Sequence, residues 1–106
     1  MNQSSLTAPD IAAALAQLNA TAMVPWQVIE NKLCKTFVFT DFNAAFGFIA
    51  QVGLAAEALN HHPDWCNTYN RVSVALQTHE VNAISAQDFA LAHRLEQCVT
   101  QSGLMS

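Results

Sequence analysis

Positive charge is scarce in this sequence. Lys32, Lys35, Arg71 and Arg94 are its four basic residues, set against eight acids for a net charge of −4. They form no stripe or cluster, which argues against the phosphate-neutralising surface that direct nucleic-acid binding requires. Charge of either sign is thin: 11% of residues are charged and 52% are apolar. That is too apolar for a disordered chain, and it raises the expectation that part of the surface is covered by further copies of the chain. Cysteine is used three times, at Cys34, Cys66 and Cys98, with no CxxC pair. A disulfide framework is thereby disfavoured and a reducing compartment expected. The opening MNQSSLTAPD lacks a basic segment leading into an apolar run, so no signal peptide is expected. The apolar runs are interrupted by polar residues, and no membrane span is expected. These features together predict a cytoplasmic protein. No internal repeat or low-complexity segment breaks the 106 residues, which suit one domain over 1–106 with a core of its own.

Secondary structure is legible in the pattern that remains. In LTAPDIAAALAQLN, Thr7 can cap a helix, Asp10 completes a capping-box variant and Pro9 is tolerated in the first turn. Ile11, Ala14, Leu15 and Leu18 then make a buried stripe on a helix over about 8–19. WQVIE and LCKTFVFT are rich in β-branched and aromatic residues, and Asn31-Lys32 between them suits a tight hairpin. Leu33, Phe37 and Phe39 share one parity, Thr36, Val38 and Thr40 the other, so both faces are expected to be partly covered. Asp41 caps the next helix, where Phe42, Ala45, Phe46, Ile49, Val52, Gly53, Ala56 and Leu59 keep helical spacing, widened by Phe48 and Ala55. Pro63 stops it near Asn60. A short strand around Asp64–Asn67 precedes a strand in TYNRVSVALQT, with Val72, Val74 and Leu76 on one side and Tyr69, Arg71, Ser73, Ala75 and Gln77 on the other. Ser85 and Asp88 form another capping-box variant, opening a helix whose inner face is Leu91, Ala92, Leu95, Cys98 and Val99, and Gly103 falls in a tail. The order predicts an α+β domain of antiparallel hairpins with helices on one face.

The chemistry is concentrated in EALNHHPDWCNTYN, where His61 and His62 stand side by side before Pro63. His79 follows the later strand, and a turn there would bring all three imidazoles to one rim of the sheet. His93 lies mid-helix on the polar side and takes no role. Imidazole is suited to proton transfer because its reference pKa, about 6.5, keeps both states accessible at neutral pH. Expelling hydroxide while removing a neighbouring proton needs one group to donate and one to accept. Glu57, one helical turn before His61, is expected to orient it, and Trp26 to offer an aromatic wall to a flat heterocycle. Two other readings stand beside this one. Three histidines with Asp64 or Cys66 are a zinc-type donor set, although no HxH or HxxxH spacing is present. Histidines at a helix end also meet exposed carbonyls favourably with no further use. Asp88 is explained by capping, Tyr69 and Trp65 by packing, and Glu57 by solvation.

The spacing as a whole narrows the choice. Glu57-x3-His61-His62-Pro63, five residues to Tyr69, nine to His79 and eight to Asp88 resembles the signature of the pterin-4a-carbinolamine dehydratases. Trp26, TFVFTDFNAAFGFIAQV, NHHPDWCNTYNRV and LQTHE are similar to family text, so the resemblance covers about residues 23–95. It implies a four-stranded antiparallel sheet with three helices packed on one face, in the order α-β-β-α-β-β-α. It implies a homodimer or homotetramer and no metal or organic cofactor. The implied reaction is dehydration of 4a-hydroxytetrahydropterin to quinonoid dihydropterin, in recycling the cofactor of aromatic amino-acid hydroxylases. Carried to matching positions, His61, His62 and His79 are the catalytic histidines, with His62 and His79 moving protons at the 4a-hydroxyl and ring nitrogen. Asn60, Gln77, Thr78 and Glu80 are expected to line the pterin pocket, Trp26 and Pro63 to shape it, and Glu57 and Asp88 to support it.

Two departures from the family pattern stand out. Val81-Asn82-Ala83-Ile84 replaces a glycine-containing turn after His79, where asparagine can supply a left-handed backbone. Gln87 stands beside Asp88 where the family often has arginine. Other functions of the same family text are a non-enzymatic dimerisation cofactor for a transcription factor, and pterin binding in another pathway such as molybdopterin metabolism.

Overall fold

In a computed structural model of the chain, residues 4–99 are described; the tail around Gly103 lies outside them. The elements run α1 (Ala8–Asn19), β1 (Gln27–Ile29), β2 (Lys32–Val38), α2 (Phe42–Leu59), β3 (Asp64–Thr68), β4 (Arg71–Leu76) and α3 (Ala86–Val99). The strands form one antiparallel sheet in the order β1-β2-β4-β3. The expected α-β-β-α-β-β-α order and α+β architecture are both present.

Local chemistry sets the ends of these elements. Thr7 Oγ1 accepts from the Asp10 amide at 3.3 Å, and Asp41 Oδ1 accepts from the Ala44 amide at 2.8 Å, each satisfying a donor that a helix start leaves unpaired. After α1, the Asn19 amide side chain brackets Trp26, donating to its carbonyl at 3.1 Å and accepting from its N–H at 2.8 Å. That side chain pairs with the backbone as a neighbouring strand would, and it fixes where β1 begins.

The turns sit one step away from their expected places. The β1–β2 reversal is at Glu30-Asn31, with φ of 50° and 66°, instead of Asn31-Lys32. Two positive φ values suit the twist of a two-residue hairpin, and Lys32 pairs with Ile29 as the first strand residue after it. The strand expected across TYNRVSVALQT is interrupted as well. Tyr69 (φ 50°) and Asn70 form a turn between β3 and β4. Asn67 Nδ2 donates to the carbonyls of Tyr69 and Arg71 at 3.1 and 2.9 Å, and Asn70 Nδ2 to that of Phe39 at 2.9 Å. These asparagine bonds hold a turn that tyrosine, a strand former, concealed.

The core lies between the helices and one face of the sheet. Leu33, Phe37, Val72, Val74 and Leu76 meet Leu18, Phe48, Val52, Leu91, Ala92 and Leu95 there, all buried. Phe48 stacks at a tilt on Phe37 and Phe39, with centroids 4.9 and 5.0 Å away. The buried face of α2 is Ala45, Phe48, Val52, Ala55 and Ala56, while Phe42, Phe46 and Leu54 are exposed. The expected stripe was therefore rotated: a helix apolar nearly all round carries the 3–4 spacing in two registers at once. By length and composition this 18-residue helix is apolar enough to cross a bilayer, against expectation, but its inner face is packed on the sheet.

The opposite sheet face has no described helix on it. Thr36 and Ser73 are exposed, Cys34, Val38 and Ala75 half-buried, so among the described residues this face is only partly covered. An inward position of β2 is occupied by a charge. Lys35 Nζ lies 2.6 Å from Glu96 Oε2 of α3, with side-chain exposures of 2% and 15%. It also sits 4.6 Å from the Phe37 ring centroid, and Glu96 Oε2 accepts the Trp26 indole N–H at 2.8 Å. Low exposure is tolerable for this ion pair because both partners are hydrogen-bonded.

Candidate active site

The site is built from the way α2 stops. Asn60 takes a left-handed conformation (φ 52°, ψ 43°), which asparagine adopts with less strain than most residues. Its N–H bonds to the Glu57 carbonyl at 3.1 Å, and the His61 N–H reaches back to the Ala56 carbonyl at 3.0 Å. This paired closure is a Schellman motif, which satisfies the last carbonyls and reverses the chain. The reversal gives the adjacent histidines opposite fates. His61 goes inward and is 8% exposed, whereas His62 stays in solvent.

His61 Nε2 lies 2.6 Å from Asp88 Oδ1 of α3, and Asp88 is fully buried. The second carboxylate oxygen of Asp88 accepts from the Ser85 N–H and the Thr78 hydroxyl, both at 2.9 Å. Because the single Thr78 hydroxyl proton is directed to Asp88, Ser85 Oγ is the donor in its 2.6 Å contact with Thr78 Oγ1. The capping role expected of Asp88 is present, but it uses one oxygen only. The other fixes the imidazole: a carboxylate can only accept, so the His61 Nε2 carries hydrogen and the neutral ring presents Nδ1 as its lone pair.

Glu57 acts on the other histidine. Its Oε1 lies 3.0 Å from His62 Nε2, both side chains being well exposed; the expected contact with His61 is replaced because His61 has turned under α3. This pair is exposed to solvent and orients the ring more than it stabilises the fold. His79 stands just beyond β4 on an exposed turn and has no side-chain hydrogen-bond partner among the described residues.

These three imidazoles line one cavity of about 370 Å³ together with Asn60, Pro63, Asp64 and Glu80. A cavity of about 440 Å³ on the open sheet face is larger, lined by Cys34, Thr36, Asp64, Ser73 and Ala75 among others. It gathers no imidazole, so the histidine cavity is the better candidate for proton chemistry. Among the described residues no three His, Cys, Asp or Glu side chains converge as a metal centre would require.

The structure brings together His61, His62, His79, Asn60, Pro63 and Glu80, as expected from the sequence, and adds Asp64. It does not bring Trp26, Gln77 or Thr78 to the cavity wall. Trp26 is 1% exposed, in T-shaped contact with Phe37, so it is a core residue and offers no aromatic wall in this chain. Thr78 is buried behind the wall, in the Asp88 network. Gln77 Nε2 is turned to the carbonyl of Asn31 at 3.2 Å. Asp88 and Glu57 stand outside the lining and are hydrogen-bonded to His61 and His62 respectively. A signal for the Asp88 contact was available: Asp88 lies on the same helical face as Leu91, Ala92 and Leu95, and a carboxylate on a buried stripe needs partners.

Known proteins of similar sequence and fold carry a consistent set of names. The profile of the family described as Pterin 4 alpha carbinolamine dehydratase matches residues 4–98. A protein of Solibacter usitatus, provisionally named a pterin-4-alpha-carbinolamine dehydratase, is 43% identical over 91 residues, spanning 86% of this chain and 90% of its own. A Drosophila melanogaster protein named pterin-4-alpha-carbinolamine dehydratase is 48% identical over 73 residues, 67% of this chain but 38% of the longer fly protein. A crystal structure from Brucella melitensis, titled transcriptional coactivator/pterin dehydratase, superposes with a TM-score of 0.82 at 38% identity, covering 90% of this chain and 98% of that one. The chain thus belongs to the pterin-4a-carbinolamine dehydratase family.

Proposed function

We propose that this chain is a lyase that dehydrates 4a-hydroxytetrahydropterin by histidine acid/base catalysis. The bond from C4a to its hydroxyl oxygen breaks, and the oxygen leaves as water after taking a proton. The adjacent ring nitrogen gives up its proton, and that N–H electron pair completes the C=N bond of quinonoid dihydropterin. One imidazole donates and another accepts, so the enzyme's proton count is restored by exchange with water. The observation that carries this reading is one cavity lined by three imidazoles in three different settings. His61 is fixed by a buried carboxylate, which suits orientation of the substrate. His62, steadied by Glu57, and His79, free to exchange with solvent, are the proton carriers. Stopped-flow measurement with enzymatically generated 4a-hydroxytetrahydropterin tests the assignment on chelator-treated protein. His62→Ala and His79→Ala are each expected to lose roughly 10²–10⁴-fold in rate. Rates equal to that of the unsubstituted protein in both variants refute the histidine roles, and no acceleration over spontaneous dehydration by any form refutes the activity. The same reading links the enzyme to an aromatic amino-acid hydroxylase, whose oxygenated pterin product is the substrate.

An oligomer is the second part of the proposal. Phe42 and Phe46 stack on each other with centroids 5.9 Å apart while 48% and 58% exposed, and Leu54 on the same helix is 76% exposed. Large apolar groups gathered on one helix face mark a contact surface, and the coactivator wording of the Brucella neighbour's title is compatible with such a face. Light scattering is expected to give a dimer or tetramer that Phe46→Glu with Leu54→Glu reduces in mass. An unchanged mass excludes this face.

A further inference from the structure

His79 depends on its backbone for position, because its side chain is exposed and unpartnered among the described residues. The turn that carries it is closed on itself. Thr78 and Ala83 exchange backbone bonds at 2.9 and 3.4 Å, the Val81 N–H donates to the Thr78 carbonyl at 3.2 Å, and the Asn82 N–H to that of His79 at 3.3 Å. Asn82 supplies the left-handed residue, with φ of 50°. The base of the turn is anchored by Thr78 in the buried Asp88 network. Those bonds set the shape of the turn and its root. They leave its tilt against the sheet to contacts at the tip.

Asn31 makes such contacts on both flanks of His79. Its carbonyl accepts from Gln77 Nε2 at 3.2 Å, and its own Nδ2 donates to the Asn82 carbonyl at 3.3 Å. One residue of the β1–β2 hairpin thus holds the positions two before and three after the imidazole. The hairpin is a firm support, since Ile29 pairs with Lys32 across the two-residue turn. We infer that Asn31 is a positioning residue for His79, bracing the catalytic turn from a strand pair that itself does not line the cavity. The inference rests on the proposed role of His79 and adds to it a residue remote in sequence.

Asn31→Gly separates the brace from the hairpin. Glycine adopts φ of 66° without strain, so the turn is retained while the amide donor is lost. An exposed hydrogen bond of ordinary strength corresponds to a roughly two- to tenfold loss in kcat/KM. The loss is expected in kcat, as for a misplaced proton carrier, measured at a temperature where circular dichroism shows the variant folded. In a His79→Ala background the same substitution is expected to change nothing further. In the NMR spectrum, Asn31→Gly is expected to shift or broaden the His79 imidazole signals and leave those of His61 in place. An unaltered kcat/KM, or a loss of equal size with His79→Ala, overturns the positioning role. If His79→Ala alone matches the unsubstituted enzyme, the proposed role of His79 falls. The NMR comparison then still decides whether Asn31 holds the turn, unmoved His79 signals refuting it.

Discussion

Asp88→Asn is the substitution that most directly probes how the site is joined to the core. The carboxylate accepts from His61 at 2.6 Å, and from Thr78 and the Ser85 N–H at 2.9 Å each, with no exposure to solvent. Asparagine keeps the shape but replaces one acceptor with a donor. With its oxygen toward Thr78 and Ser85, the amide NH2 faces His61, and the neutral imidazole must accept at Nε2 and carry hydrogen on Nδ1 instead. With the amide flipped, two donors face the NH2 and go unsatisfied. Either way three charge-assisted bonds become neutral or are lost, a change of about 0.5–1.5 kcal/mol each, or ~2–4 kcal/mol together. A domain of this size has roughly 5–15 kcal/mol in total, and about 4–8 °C of Tm accompanies each kcal/mol. The expected outcome is a Tm lower by about 10–25 °C, read by circular dichroism and by urea titration at unchanged slope. Turnover at a temperature where the variant is folded is expected to fall by at least about tenfold, because the tautomer presented to the cavity is wrong. Thr78→Val is the companion measurement. It removes one donor, leaves the His61 bond and should lower stability with far less effect on rate. A stability change under about 0.5 kcal/mol, or full turnover in folded Asp88→Asn, refutes the reasoning.

The buried Lys35–Glu96 pair gives a second expectation: Lys35→Met leaves Glu96 with the Trp26 indole alone and is expected to destabilise by about 1–3 kcal/mol in urea titration. Adding Glu96→Gln removes the stranded charge while keeping an acceptor for Trp26, so the double variant should recover part of that loss; a double variant less stable than Lys35→Met contradicts it. The third concerns alkaline pH. Burial raises the thiols of Cys34 and Cys98 above their ordinary value of 9.0, against the opposing charges of Lys32 and Arg94 respectively. Above that pH the unfolded chain holds fewer protons than the folded one, so the contribution to stability is intact below pH 9 and lost as pH rises through the folded values. Cys34→Ala with Cys98→Ala should flatten the fall of stability above pH 9, and an unaltered slope rejects the assignment.

The fold was legible wherever period and punctuation agreed. Thr7 and Asp41 announced their helices because a side-chain acceptor before an apolar run has few other uses. The Val72–Leu76 alternation gave the inward face of β4 directly. What failed to show was chemistry that mimics its surroundings. Tyr69-Asn70 reads as strand because tyrosine favours strands, and the turn is held by side-chain amides of Asn67 and Asn70. Lys35 sits at an inward parity where a charge is unexpected, and only its partner Glu96, 61 positions away, makes that burial tolerable. Trp26 looked available to a flat ligand because nothing in sequence reveals that Asn19 and Glu96 pin it inward from both ends.

The same distinction separates the parts of the site. Its members were legible because three histidines near element ends can converge only if the sheet brings those ends together. Their different settings were not, because one backbone torsion decides them. With Asn60 left-handed, the chain turns after Glu57 so that His61 reaches Asp88 while the carboxylate of Glu57 meets His62. Had Asn60 continued the helix, Glu57 and His61 would have been neighbours one turn apart, as spacing alone suggests. Asp88 would then have kept an oxygen buried without a partner. The adjacent imidazoles are thus a consequence of a helix stop: one is committed to the interior by a carboxylate that the core already holds, and its neighbour is left to solvent. In the proposed reaction the carboxylate-held ring is the one placed to orient substrate, and the solvent-facing one is left to exchange protons alongside His79.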